Sequence, residues 1–332
     1  MSLGALNLIE VIINGLMVGV LYALVALGFV LIFKASGVFN YAQGVMALFA
    51  ALTLVGLQEG QVPFGHLISA ITGREVLHFG WTLPAAVALL LTALVMVLLA
   101  VLVERLVLRQ LVNQEPIVLF MATIGLAYFL EGLGDLMWGA DVRVVDIGLP
   151  QGGSLWFETL SKSWAADPDY WGMYVDKLDI VAAVVAALLV AGLTAFSQLT
   201  PTGRALRAVA DDHQAALSVG ISLRTIWVIT WSVAGLVALV AGVMWGAKTG
   251  VQFSLSLIAL KALPVLILGG FTSIPGAIVG GLIIGVGEKV FEFWIGPMIG
   301  GATENWFAYV LALVFLMFRP QGLFGERIIE RV

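Results

Sequence analysis

The stretch L-P-A-A-V-A-L-L-L-T-A-L-V-M-V-L-L-A-V-L-V, Leu83 to Val103, carries no charge and one hydroxyl, that of Thr92. Its residues do not alternate polar with apolar, so it does not read as a strand of a transmembrane barrel, which runs about ten alternating residues. As a helix rising ~1.5 Å per residue it matches the roughly 30 Å hydrocarbon layer of a bilayer. Ile180 to Phe196 has the same character. Around these runs the 332 residues are 61% hydrophobic and 11% charged, with a mean hydropathy of +1.05. A soluble domain is about half apolar and about a quarter charged, so this chain lacks the polar surface that a water-facing globule needs. The expected fold is all-α: a polytopic helical integral membrane protein with eight to ten hydrophobic elements, some short or broken.

The apolar elements fall at 10–33, 44–57, 82–103, 116–138, 178–199, 225–247, 255–271, 274–296 and 303–318, the second and seventh being short for full spans. Basic residues cluster at Arg105 and Arg109, at Arg204, Arg207 and Arg224, and at Arg319, Arg327 and Arg331. Lys and Arg favour the cytoplasmic side, which places these clusters and the carboxyl terminus inside and the amino terminus outside. The expected organisation is one permease-type transmembrane domain over 1–332. It has an extracytoplasmic insertion at 139–177, a cytoplasmic loop at 200–224 and a cytoplasmic tail at 319–332. Met1 to Glu10 shows no basic residue before the first apolar run, so that run reads as a retained helix rather than a signal peptide.

The insertion is acidic and aromatic, with Trp156, Phe157, Trp164, Tyr170, Trp171 and Tyr174 among its residues. It reads as a segment lying on the membrane surface or as a docking surface for an extracytoplasmic partner, and the two are compatible. Gly15/Gly19, Gly242/Gly246, Gly276/Gly280 and Gly281/Gly285 stand four apart inside apolar runs, the spacing of close helix packing.

Catalytic motifs are missing from the sequence: no G-x-S-x-G, no Walker loop, no H-E-x-x-H. The chain has no cysteine, its three histidines are scattered, and no basic patch interleaved with aromatics points to nucleic acid. Glu131 and Asp135 share a helix face near its end, a place from which they snorkel. A coupled carrier needs ionisable groups near the midplane, and the candidates are Lys34, Lys248, Lys261, Glu288, Lys289 and Glu292. Lys34 and Lys248 end their runs; Glu288, Lys289 and Glu292 can pair along their helix. Lys261 sits within an apolar run ending at Pro264 and should face protein or water rather than lipid. No proton or sodium relay emerges.

Thr200 to Arg224 is the strongest local signal. Pro201 stands ahead of a short cationic helix, and Asp211 and Asp212 are suited to cap a following one. Two short helices would then form a knob below the membrane. Q-A-A-x-x-x-G at Gln214, Ala215, Ala216 and Gly220 resembles the E-A-A-x-x-x-G coupling loop of ATP-binding-cassette importer permeases, with Gln for the usual Glu. T-G-R-A-L-R-A-V-A-D-D at Thr202–Asp212 is similar to the matching loop of branched-chain amino-acid permeases. So are S-G-V-F-N-Y-A-Q-G at Ser36–Gly44, L-G-G-F-T-S-I-P-G-A-I-V-G-G at Leu268–Gly281 and F-R-P-Q-G-L-F at Phe318–Phe324. The resemblance runs from about Asn14 to Phe324 and favours the LivH-type subunit; 139–177 has no counterpart in it.

The resemblance implies a heterodimer with a homologous permease, two cytoplasmic ATPase subunits and a periplasmic solute-binding protein. It implies no cofactor on this chain, with ATP used by the partners. Arg204, Arg207, Asp211, Asp212, Gln214, Ala215, Ala216 and Gly220 would meet the ATPase. Asn40, Gln43, Gly44 and Lys261 are the translocation-path candidates, because interruptions of short spans leave amides and backbone facing a cavity. The substrate would be a branched-chain amino acid. Alternatives are a related permease for urea, short amides or sugars, and a self-sufficient carrier or channel.

Overall fold

The computed structural model describes residues 2–73, 77–111, 114–167, 170–211 and 213–325; Asp212, Arg327 and Arg331 lie outside them. In chain order the helices are α1 (Leu3–Ser36), α2 (Gln43–Gln58), α3 (Gly65–Thr72), α4 (Ala85–Leu106), α5 (Pro116–Trp138), α6 (Leu155–Trp164), α7 (Lys177–Leu199), α8 (Pro201–Asp211), α9 (His213–Ser218), α10 (Leu223–Thr249), α11 (Ile258–Gly269), α12 (Ile274–Trp294), α13 (Gly296–Ile299) and α14 (Phe307–Phe318). All nine apolar elements expected from the sequence are helical. Six described helices are long and apolar enough to cross a bilayer: α1, α4, α5, α7, α10 and α12. The apolar elements 43–58, 253–269 and 307–318 are shorter. Ends follow local chemistry: Pro116 opens α5, and Ser222 and Ser273 cap α10 and α12 by accepting the amides of Thr225 and Gly276.

The described residues cluster into two compact units. One comprises 27–147 and 191–260. Its centre is α2, buried on every face from Gln43 to Gly56 and packed by α4, α5 and α10. A helix that is apolar all round needs protein on all sides, and small residues let it approach. A Cβ on Gly242 would meet the Ala47 carbonyl, and one on Gly56 would enter the Trp138 ring. At sixteen residues α2 covers about 24 Å, and the break before it, with Asn40, Ala42 and Gln43 buried, is closed off by protein. At one end Arg143, 8% exposed, ties three loops together. Its guanidinium donates to Gln61 Oε1 (2.6 Å) and to the Trp138 carbonyl, lies 3.5 Å from Glu59, and its backbone bridges Val251.

The other unit comprises 1–26, 148–190 and 261–332, described to Gly325. Here α1 crosses α12 glycine to glycine. A Cβ on Gly19 would meet the Gly281 carbonyl at 2.5 Å, and one on Gly15 the Gly285 carbonyl at 2.9 Å. Gly276 likewise faces Gly269 of α11. The paired glycines at 15/19, 276/280 and 281/285 are thus all spent inside one chain. The polar stretch 139–177 divides between the units after Ile147. Its later part is held by Met173 N donating to Ser161 Oγ (2.7 Å), Tyr174 N to Glu10 Oε1 (3.3 Å) and Asn14 Nδ2 to the Tyr174 carbonyl (3.2 Å). Two distant motifs also meet. Leu323 and Phe324 donate to the carbonyls of Leu268 and Gly269, and the approach of Gly322 to Gly270 leaves no room for a Cβ.

Candidate functional site

The Thr200–Arg224 segment folds as a helical knob within the 27–147/191–260 unit. Thr200 caps α8, its Oγ1 accepting the Gly203 amide at 2.9 Å. Gly203 lets the chain turn on itself, because a Cβ there would meet the Phe196 carbonyl at 2.2 Å. α8 and α9 close on a small core of Leu206, Val209, Ala216 and Ile226, with Ala205, Ile221 and Leu223 against it. The motif letters therefore divide by physical role. Ala216, 2% exposed, is packed into that core. Gly220 sits at φ +85° and ends α9: its amide donates to the Leu217 carbonyl and the Ile221 amide to the Ala216 carbonyl. That pair of bonds is the Schellman stop, with a left-handed residue that glycine adopts without strain.

Arg204 is exposed and Arg207 half-buried, while Ala215 and Gly220 are exposed. The side chains of Asp211 and Gln214 and all of Asp212 fall outside the described residues. Leu217 and Val219, 53% and 75% exposed, complete an apolar and cationic outer surface that the motif match did not pick out. Gly220→Val should cost roughly 1–2 kcal/mol of knob stability by forcing a branched residue into left-handed backbone, whereas Gly220→Asn should cost less. Limited proteolysis across 211–222 reads the difference; equal resistance of both variants would contradict the strain argument.

The path candidates divide between the two units. Asn40 and Gln43 are 0% and 1% exposed and face packed protein, not the open cavity expected of them. Asn40 Nδ2 donates to Gln43 Oε1 (3.4 Å), Gln43 Nε2 to the Ala234 carbonyl (3.3 Å), and Gln43 fills the space left by Gly28. Gly44 lies against the Ser256 carbonyl and Ala259, too close for a side chain. These residues satisfy the polar groups of the α1–α2 break from within, as a break at membrane depth requires.

Lys261 belongs to the other unit and has protein partners. Its Nζ donates to Tyr22 Oη and to the Glu304 carbonyl, both at 3.2 Å, and lies 3.8 Å from Glu288 Oε1. Tyr22 Oη in turn donates to Glu288 Oε2 at 2.9 Å. Tyr22 stands three residues past Gly19 on α1 and Glu288 three past Gly285 on α12, both beside the glycine crossing. Glu288, Lys289 and Glu292, expected to pair along α12, instead find partners elsewhere: Tyr22 and Lys261, Glu304 at 2.7 Å, and Thr303. Nothing in the local sequence around Tyr22 or Glu304 announced them. Among the described residues no group of three His, Asp or Glu could hold a metal ion.

A family model described as branched-chain amino acid transport system, permease component, matches residues 11–319. The chain is 28% identical to the high-affinity branched-chain amino acid transport system permease protein BraD of Pseudomonas aeruginosa, covering 98% of each. It is 26% identical to LivH of Escherichia coli K12, a permease protein of the same description, over the full length of both. A further relative is LivM of the same organism, 26% identical over 48% of this chain and 38% of that one. Among solved structures, PsaBC from Streptococcus pneumoniae in complex with Fab covers 93% of the chain at 13% identity, with a TM-score of 0.43, too low to assign a fold.

Proposed function

We infer the function from one premise, that this chain belongs to the branched-chain amino acid transport permease family. Membership makes it a membrane transport subunit rather than an enzyme, with no cofactor expected of it. On our reading it forms, with a homologous second permease, the path by which leucine, isoleucine or valine enters a bacterial cell through the cytoplasmic membrane. Two ATPase subunits drive it and an extracytoplasmic binding protein feeds it. The observation that carries this reading is the α8–α9 knob: a folded projection with its own apolar core, a cationic face and exposed Leu217 and Val219. A loop that only obeyed the positive-inside bias would need no core.

Uphill transport needs a free-energy source, and the sequence holds neither a nucleotide loop nor an ion relay. The source is therefore borrowed, and the knob is where it is applied, with Arg204, Arg207, Asp211, Asp212, Gln214, Ala215 and Gly220 meeting the ATPase and Ala216 packing the core beneath them. Asn40, Gln43 and Gly44 border the path by holding the α1–α2 break rigid. The carboxyl terminus is cytoplasmic and the amino terminus extracytoplasmic.

Reconstitution in liposomes tests this. Leucine, isoleucine or valine should accumulate against a gradient only with second permease, ATPases, binding protein and ATP together. Reversing Arg204 and Arg207 to Glu should leave the subunit inserted and break coupling, so that ATP is hydrolysed without uptake. Accumulation by the isolated subunit on a proton or sodium gradient would overturn the reading and make the chain a secondary carrier.

A further inference from the structure

Within the unit of 1–26, 148–190 and 261–325, three charged side chains are partly exposed on the apolar elements α11, α12 and the turn that leads into α14. Lys261 is 25% exposed, Lys289 31% and Glu304 33%. Lys289 lies in the last two turns of α12 and Glu304 in the turn before α14, and a charge turned to acyl chains costs up to about 2.5–3.5 kcal/mol, so the three groups are placed to meet protein or water. Behind the patch stands Glu288, wholly buried, its Oε1 accepting no hydrogen bond and lying 3.8 Å from the Lys261 ammonium. Tyr22 holds the other oxygen of Glu288 and also Lys261. Glu304 joins the front pair, its carbonyl accepting from Lys261 and its carboxylate from Lys289.

We propose that Lys261, Lys289 and Glu304 form a zwitterion-binding station on the substrate path, receiving the α-carboxylate on the ammonium groups and the α-ammonium on Glu304. The proposal rests on the transport reading above and adds the residues that take the substrate's charged end. The ammonium groups of Lys261 and Lys289 balance the carboxylates of Glu304 and Glu288, while the neighbouring Glu292 carboxylate is held by the Thr303 amide and hydroxyl. A zwitterionic amino acid is also neutral, so it can enter by exchange: its carboxylate replaces that of Glu304 on Lys289, and its ammonium replaces Lys289 on Glu304. No step leaves an unpaired charge in a low-dielectric site, the condition that makes buried charge prohibitive. Tyr22 and Glu288 are positioning residues that keep the Lys261 ammonium at the front. Phe291 meets Trp306 edge to face and Phe307 at a tilt, at 5.7 and 4.7 Å between ring centres, and supplies an apolar wall beside Glu304 for a branched side chain.

The natural absence of cysteine makes the test direct. Asn305→Cys places a reporter beside Glu304 and leaves the three charged groups intact. In the full assembly in liposomes, an ammonium-bearing methanethiosulfonate should label it, and leucine delivered with its binding protein at ~10 times Kd should slow labelling about tenfold, by occupancy alone. Leucinamide, which lacks the carboxylate, and 4-methylpentanoate, which lacks the ammonium, should not slow it. Lys289→Met in the same background should abolish the leucine effect, and Lys289→Arg should keep it. No labelling, labelling indifferent to leucine, or protection that survives Lys289→Met would each overturn the assignment. If the unaltered assembly takes up leucine while protection fails, only this proposal falls; if it takes up none, the transport reading falls first.

Discussion

Lys261→Leu should leave the subunit unfolded or grossly destabilised, while Lys261→Leu combined with Glu288→Leu should restore much of what is lost. The single change leaves Glu288, 0% exposed, with one oxygen held by Tyr22 and its ion-pair partner removed. Breaking a buried pair by removing one partner costs roughly 3–5 kcal/mol, whereas replacing both by apolar groups is often neutral. Against a typical total of about 5–15 kcal/mol, the single loss is large. Thermal unfolding in detergent, followed by the loss of monodisperse protein, gives the ordering. The double variant should melt within a few degrees of the parent and still fail to transport, because the station has lost one of its two ammonium groups. A single variant that melts with the parent would show that Lys261 snorkels out to the interface and that the Tyr22–Glu288–Lys261 contacts carry no weight.

Gly281→Leu should be as damaging for a different reason. A Cβ at this position would lie 2.5 Å from the Gly19 carbonyl and 2.9 Å from Ala23 Cβ, so the obstacle is backbone rather than a side chain that can swing away. Overpacking a core costs about 1–3 kcal/mol when side chains can yield; here two helices must separate, and the Tyr22–Glu288 hydrogen bond, about two turns along α12, parts with them. The expected result is little or no folded protein by size exclusion. Gly125→Ala on α5 is the control, since nothing stands within 4 Å of its Cβ. It should leave yield and elution unchanged, with a gain of up to about 1 kcal/mol in helix propensity. Normal assembly of Gly281→Leu would mean that α1 and α12 do not cross at these glycines.

The fold class, the nine apolar elements and the knob were readable without a structure because each depends on one stretch of chain meeting a uniform solvent. Leu83–Val103 needs only its own length and hydropathy to be a span, and Thr200–Ile226 carries the knob's cap, its core residues and its left-handed stop in one continuous stretch. Partner choice is another matter. Lipid tails are as apolar as leucine, so hydropathy cannot tell which face of a membrane helix meets protein, nor which helix it meets. The glycine pairs were visible as spacings, but their being spent on α1–α12 and α11–α12 crossings was not. Asn40 and Gln43 looked like amides awaiting a cavity, and packing of α2 on all sides made them interior bonds. Lys261 announced a cost, yet the groups that meet it, Tyr22 and the Glu304 carbonyl, stand 239 and 43 residues away. Charges in a bilayer are obliged to find a partner, and only the tertiary crossing of two glycine-faced helices determined where that partner would be.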